Sequence, residues 1–303
     1  MNKFYVYGKA VLAMLFWAVT FVWIKIAFAA GYRPYEIVFL RLLLAAVLLF
    51  AVMSITKKLQ RLSPRDTLWM MLVAFCEPFA YFVGEANGLQ YVSSTLGSLI
   101  ISLIPIFGAV AAWLILREKI TWLIIAGLLV STLGVVIMSL GSGDLSATLK
   151  GILFMLLAVF AGMFYGITVR QLTLKYSALT IVAWQSLFGL LYFIPLFIFY
   201  DGSHFIAMQH SALGLVTIAG MSLFASVGAF MLYTGVIRDL GVIKSNIFTN
   251  LIPVFTAFLA FFILGDVFTL RAGIGLTLTL TGLLLSQAQD LRRILRRSAQ
   301  SCP

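Results

Sequence analysis

Charge, histidine and cysteine are scarce in this 303-residue chain, and each shortage excludes something. Charged side chains make up 10% of residues, against about 25% in soluble proteins. Hydrophobic residues make up 62%, where soluble domains have about 45–50%, so no soluble fold of this length could hide so much apolar surface. The two histidines, His204 and His210, fall together in one predicted connection and read as exposed loop residues. There is no His-Glu-x-x-His pair, no cysteine–histidine pairing within an apolar run and no glycine-rich phosphate loop. The chain therefore reads as no enzyme, and no metal or cofactor is indicated. Of the two cysteines, Cys76 lies in mid-span and Cys302 in the tail, so a disulfide between them is not expected. Long polar stretches are missing too, which leaves no room for a separate soluble domain.

What is present is apolar length, with a mean hydropathy of +1.08. A membrane-spanning helix takes roughly 20 mostly apolar residues. Ten such segments are predicted: 10–29, 35–55, 68–88, 93–116, 121–140, 150–169, 179–199, 212–235, 243–264 and 270–288. The fold class expected is an all-α membrane protein, a single domain over 1–303. Its first segment, with Lys3 and Lys9 before it and Ala27-Phe28-Ala29 at its end, resembles a cleavable signal. It is read instead as a spanning helix, because it is long enough to cross and carries Lys25.

The net charge of +11 could suggest nucleic acid, but its placement argues against that partner. With a cytoplasmic N-terminus, sixteen of the 21 basic residues fall at cytoplasmic ends: Lys3, Lys9, Lys57, Lys58, Arg61, Arg65, Arg117, Lys119, Arg170, Lys175, Arg238, Lys244, Arg292, Arg293, Arg296 and Arg297. The outer connections hold Arg33, Lys150 and Arg271. This is the positive-inside pattern, and it places both termini in the cytoplasm. The basic tail, 289–303, reads as a stop signal facing anionic lipid.

Self-comparison shows a duplication. A shift of 148 residues lays Leu103-Ile104-Pro105-Ile106-Phe107 on Leu251-Ile252-Pro253-Val254-Phe255, Glu118 on Asp266, Gly127 on Gly275 and Gly134 on Gly282. A shift of 144 lays Tyr32 on Tyr176 and Ile37-Val38 on Ile181-Val182. Repeat 1 covers about 8–140 and repeat 2 about 150–288. Each unit has five predicted helices, an odd number, so the second copy enters the membrane from the opposite side. Inverted repeats of this kind are a recurring plan of secondary transporters. Pro105 and Pro253 each remove a backbone hydrogen bond at equivalent mid-helix positions. They read as hinges beside a cavity, or as packing kinks. The four glycines mark close helix packing, with a dimer seam as the lesser alternative.

With these motifs in order, the chain resembles the drug/metabolite transporter superfamily, in particular its EamA-type members. The resemblance rests on Phe16-Trp17 with Lys25, Pro34 with Leu40-Arg41, and Leu103-Ile104-Pro105-Ile106-Phe107 followed by Arg117-Glu118-Lys119-Ile120-Thr121. In the second copy, Leu251-Ile252-Pro253-Val254-Phe255 is followed by Gly265-Asp266. It implies a ten-helix carrier of small metabolites, often an exporter of amino acids or related compounds, with a central cavity. Where the family often has glycine before the acidic residue ending helix 4, this chain has Arg117.

Four ionisable residues lie within spans: Lys25, Arg41, Glu77 and Glu85. Each ionised group near a helix centre costs about 2.5–3.5 kcal/mol on insertion scales, so such groups usually face water or a partner. Glu77, Tyr81 and Glu85 recur at steps of four, which places them on one stripe, with the glutamates about 12 Å apart along the axis. Glu77, near the midplane, reads as a carboxylate that carries a coupling proton or meets a substrate ammonium, or as a protonated structural glutamate. Lys25 and Arg41 reach the depth of Glu85, and the three are expected to form a buried charge network in the outer vestibule. The alternatives are snorkelling for Lys25 and a structural carboxylate pair for Arg41. Ser98 and Ser102, equivalent to Asn246 and Asn250, form polar stripes that either face substrate or join helices. Trp17, Tyr165, Trp184 and Gln185 are further candidate cavity residues.

The expected function is transport of small organic metabolites by alternating access in the bacterial inner membrane, with a zwitterion such as an amino acid suiting a cavity of both charges. Proton-coupled efflux of cationic drugs or amines is the nearest variant. A passive channel or a membrane scaffold is the alternative of another class. Expected partners are a small-molecule substrate, the bilayer and protons as coupling ion, and the chain is expected to be a monomer or homodimer.

Overall fold

Within hydrocarbon every backbone N–H and C=O must be satisfied by the protein itself, which a helix does internally. The computed structural model describes residues 3–140, 148–264 and 270–300, and these are helical with no strand among them. Among the described residues eight helices are long and apolar enough to cross a membrane. They are α1 (Lys3–Ala29), α2 (Pro34–Thr56), α3 (Pro64–Gly88), α4 (Ser94–Leu116), α6 (Leu149–Thr173), α7 (Ala178–Ala207), α8 (Ala212–Leu240) and α9 (Val242–Ile263). Two shorter apolar stretches, 122–137 and 273–288, lie in α5 (Trp122–Leu140) and α10 (Leu270–Gln300). The expected Gly265-Asp266 motif and Cys302 lie outside the described residues.

The helix starts are set by local chemistry. Ser63, Ser93, Thr148, Ser177 and Ser211 precede α3, α4, α6, α7 and α8, and each side-chain oxygen accepts a first-turn N–H. Pro34 opens α2, where its missing N–H is no loss. Glu118 does for α9 what serine does elsewhere. Its two carboxylate oxygens accept from Val242 N at 2.8 Å and Ile243 N at 3.0 Å, beside Gly241 with φ +84°. Arg117 ends α4 with φ +54°, in the left-handed region that favours glycine, which accounts for the glycine of the family pattern at this place.

Among the described residues five helices are irregular within their length, α7 winding in wide, π-type turns over Phe197–Asp201. Helix α3 breaks at Glu77, whose backbone is extended at φ −148°, ψ 122°. Met221–Ala229 of α8 winds in wide, π-type turns. Helix α4 is two pieces, Ser94–Ile101 and Ile104–Leu116, and α9 likewise tightens over Phe248–Asn250 before Leu251–Leu264. In both, the proline lies in the first turn of the second piece, where it removes no bond the helix needs.

Helices α5 and α10, the last of each repeat, pack on one another. Gly127 lies against the carbonyl of Gly282, and Gly134 against that of Gly275; a Cβ on either would come within 2.6 Å of it. Under the 148-residue shift each of these contacts becomes the other. A contact whose two sides exchange in this way is self-complementary about a two-fold axis. Ser131 and Thr279, also 148 apart, meet at the same seam. The glycines are thus used within the chain, which removes the dimer seam as their explanation.

Candidate functional site

A cavity of about 40 Å³ lies among α1, α2, α3, α4, α6, α8 and α9. That is room for about three waters at roughly 10–15 Å³ each. Of the residues expected from sequence, Trp17, Arg41, Glu77, Tyr81, Glu85, Tyr165 and Asn246 line it.

Arg41 is 1% exposed and held from three sides. Its Nε donates to Ser226 Oγ at 3.1 Å, its guanidinium lies 4.3 Å over the ring of Phe82, and its Nη1 is 3.9 Å from Glu85 Oε2. Tyr81 donates to Glu85 Oε1 at 3.2 Å. The charge of Arg41 is therefore matched by Glu85, yet its Nη1 has no hydrogen-bond partner. Glu77 is also buried and faces the same cavity. Among the described residues no group bonds its carboxylate. One cavity thus holds an unbonded carboxylate and an unbonded guanidinium N–H. In a low-dielectric interior, polar groups left unsatisfied are expensive, so the arrangement suits a visitor that supplies an ammonium and an acceptor.

The aromatic wall follows from the sequence's abundance of rings. Trp17 packs edge-on against Tyr233 at 4.9 Å and Phe230 at 5.3 Å, and Tyr165 against Phe230 at 5.9 Å. Tyr233 donates to Asn246 Oδ1 at 2.6 Å, and Tyr165 shares its hydroxyl with Thr234 at 3.4 Å and Gln185 at 3.5 Å. Tyr233, Thr20, Phe82 and Thr249 also line the cavity and were not singled out from sequence. The repeat held a signal for one of them, since the 148-residue shift that relates Phe82 to Phe230 also relates Glu85 to Tyr233.

Six expected residues lie elsewhere. Lys25 does not join the Arg41–Glu85 pair. Its ammonium bonds Leu89 O at the end of α3, where a cation suits the helix dipole, and Val92 O at 2.7 Å in the connection to α4. Ser98 and Ser102 bond their own helix at Thr95 O and Leu99 O. Asn250 donates to Ser131 Oγ of α5. Trp184 bonds Gln60 O at 3.4 Å and stacks near Phe188, and Gln185 reaches the cavity only through Tyr165. Pro105 and Pro253 are buried beside cavity-lining Ile104 and Ile252. The stripe expected for Glu77, Tyr81 and Glu85 assumed an unbroken helix. The break at Glu77 takes it out of that register, and all three still meet at the cavity. His204, expected as an exposed loop residue, sits on the extended end of α7 and bonds Glu36.

The profile of the EamA-like transporter family matches residues 5–140 and again residues 149–287. The chain belongs to the EamA-like transporter family. That family is part of the drug/metabolite transporter superfamily, and with its apolar helices the chain is a multi-pass membrane protein. It is 28% identical to the uncharacterized transporter YetK of Bacillus subtilis (strain 168), over 82% of this chain and 76% of that one. It is 26% identical to an uncharacterized transporter of Archaeoglobus fulgidus, over 92% and 96%. It is also 26% identical to a protein named "Probable terminal-alkyne amino-acid exporter" of Streptantibioticus cattleyicolor, over 96% and 95%. A solved crystal structure, 13% identical, superposes with a TM-score of 0.73 over 91% of this chain and 98% of that one, which shows a shared fold.

Proposed function

We infer that this EamA-like protein is a secondary transporter of small organic zwitterions, amino acids or close relatives, working by alternating access. It has ten spanning helices in two inverted five-helix repeats, forms one membrane domain, and sits in the bacterial inner membrane with both termini cytoplasmic. The observation that carries this reading is that one cavity is lined by both the buried Glu77 and Arg41, whose Nη1 has no hydrogen-bond partner. Glu77 takes the substrate ammonium or a coupling proton, Arg41 takes the carboxylate, and the rings of Trp17, Tyr165 and Tyr233 enclose the remainder. Binding requires the cavity to widen, which the half-helices of α4 and α9 allow, with Pro105 and Pro253 beside the hinges. The exporter named among its relatives supports export.

A second reading has its own observation. Glu85 already matches Arg41, so an ionised Glu77 leaves the cavity with an uncompensated negative charge, which suits proton-coupled efflux of amines. The two are separated by reconstituting the protein in liposomes and measuring exchange of labelled amino acids and simple amines at two pH values, beside Glu77→Gln. Saturable exchange of amino acids, lost in the variant, supports the zwitterion carrier. Exchange confined to amines supports the second reading. Flux without saturation or counterflow contradicts both and leaves a channel.

A further inference from the structure

Repeats related by a two-fold axis put equivalent contacts on opposite faces, so their chemistry can be compared pair by pair. On the face with the basic connections, Gln60, between α2 and α3, reaches the start of α7. Its Oε1 accepts from Ser177 N and Thr180 Oγ1, each at 2.9 Å. The turn before α7 supplies Tyr176, whose hydroxyl donates to Asp66 Oδ2 at 2.9 Å in the first turn of α3; Lys175 pairs with the same carboxylate at 2.7 Å.

The opposite face has the same clamp with different residues. His204, at the end of α7, reaches the start of α2, its Nδ1 2.7 Å from Glu36 Oε1. The turn before α2 supplies Tyr32, whose hydroxyl lies 3.2 Å from Nδ1 of His210, just before α8. The ring of Tyr32 packs on Gly214 in the first turn of α8, where a Cβ would meet it at 2.3 Å. The 144-residue shift relates Tyr32 to Tyr176, Glu36 to Thr180 and His204 to Gln60. Both clamps join one repeat to the other. The second holds both histidines of the chain, the side chains whose charge ordinarily changes between about pH 5 and 8.

We propose that the His204–Glu36 clamp is a proton-operated latch that biases the carrier toward conformations closed on the outer face. Glu36 is fully buried and both its oxygens accept, Oε2 from Arg33 N at 2.8 Å and Oε1 from His204. A proton on His204 converts a hydrogen bond between a neutral ring and a carboxylate into an ion pair charged on both sides. The other charged or titratable groups gathered there are Arg33 from the turn before α2, Asp201 from α7 and His210 before α8. Glu36, Asp201 and Arg33 together place two carboxylates and one guanidinium around the ring. The His210 contact does not respond in the same way. A neutral Nδ1 accepts from the tyrosine O–H and a protonated one donates to its oxygen, so the bond survives either way. Gln60 and Thr180 on the inner face have no such group, so acid strengthens one side only.

The latch rests on the two-state carrier proposed above, and its test needs no substrate, so the two readings fail separately. Spin labels at Ala29 and Gln209, both exposed, are placed in the full chain with Cys76 and Cys302 replaced by alanine. Their distance distribution is measured in nanodiscs from about pH 8 to about pH 5.5, across the ordinary histidine value of about 6.5. The population shifts toward the shorter distance on acidification, loses that shift in His204→Gln, which copies the inner clamp, and keeps it in His210→Gln. A pH-independent distribution, an unchanged response in His204→Gln, or a response lost only in His210→Gln overturns the proposal.

Discussion

At the scale of residues, the site is a matter of which charges are matched. Glu85 lies beside a fully buried guanidinium, so its removal takes from Arg41 the carboxylate it is paired with. Breaking such a buried pair destabilises by about 3–5 kcal/mol, while replacing both members with apolar groups is often neutral or stabilising. Glu85→Ala is accordingly expected to lower the unfolding temperature of the purified protein well below that of Arg41→Met combined with Glu85→Met. Glu85→Ala with an unchanged melting curve would remove Glu85 as the partner of Arg41. Glu77 has no bond to lose, so Glu77→Gln is expected to fold as the wild type while exchange fails. The charges were legible in the sequence because ionisable groups inside apolar runs are rare. Tyr233 was not, being one of 11 tyrosines in an aromatic-rich chain. Lys25 was expected beside Arg41 and Glu85, and its ammonium bonds the carbonyls of Leu89 and Val92. Periodicity gives the depth of a side chain, but it does not say that the end of α3 and the connection to α4 leave carbonyls beside it.

At the scale of elements, the duplicated prolines mark where α4 and α9 divide. Each proline sits in the first turn of a half-helix, so it lowers stability little and keeps the two pieces from fusing. Pro105→Ala combined with Pro253→Ala is expected to hold or raise the melting temperature and to slow exchange. A double variant that exchanges at the wild-type rate would make the prolines packing features. This division was legible because it appears twice in one register. The break in α3 at Glu77 was not, because residues at steps of four look like one continuous stripe whether or not the backbone between them is helical.

At the scale of the whole molecule, the two-fold relation is carried by the α5–α10 seam. A side chain at Gly134 would meet the backbone N of Thr279 at 2.5 Å and the carbonyl of Gly275 at 2.6 Å, and backbone cannot yield as a flexible side chain can. Gly134→Leu is expected to destabilise by about 1–3 kcal/mol or more, read as a lowered melting temperature and loss of the monodisperse peak in size-exclusion chromatography. The repeat was legible as matching residues 148 apart, but that Gly127 meets Gly282, and not its own equivalent Gly275, is a property of the axis and needed the structure. Alternating access requires that the cavity be reached from each face in turn. A single cysteine at Thr20, a buried cavity residue of α1, in a chain with Cys76→Ala and Cys302→Ala, tests it with a membrane-impermeant maleimide applied to intact cells and to inverted vesicles. Alternating access predicts labelling from both sides. Labelling from one side alone would contradict it.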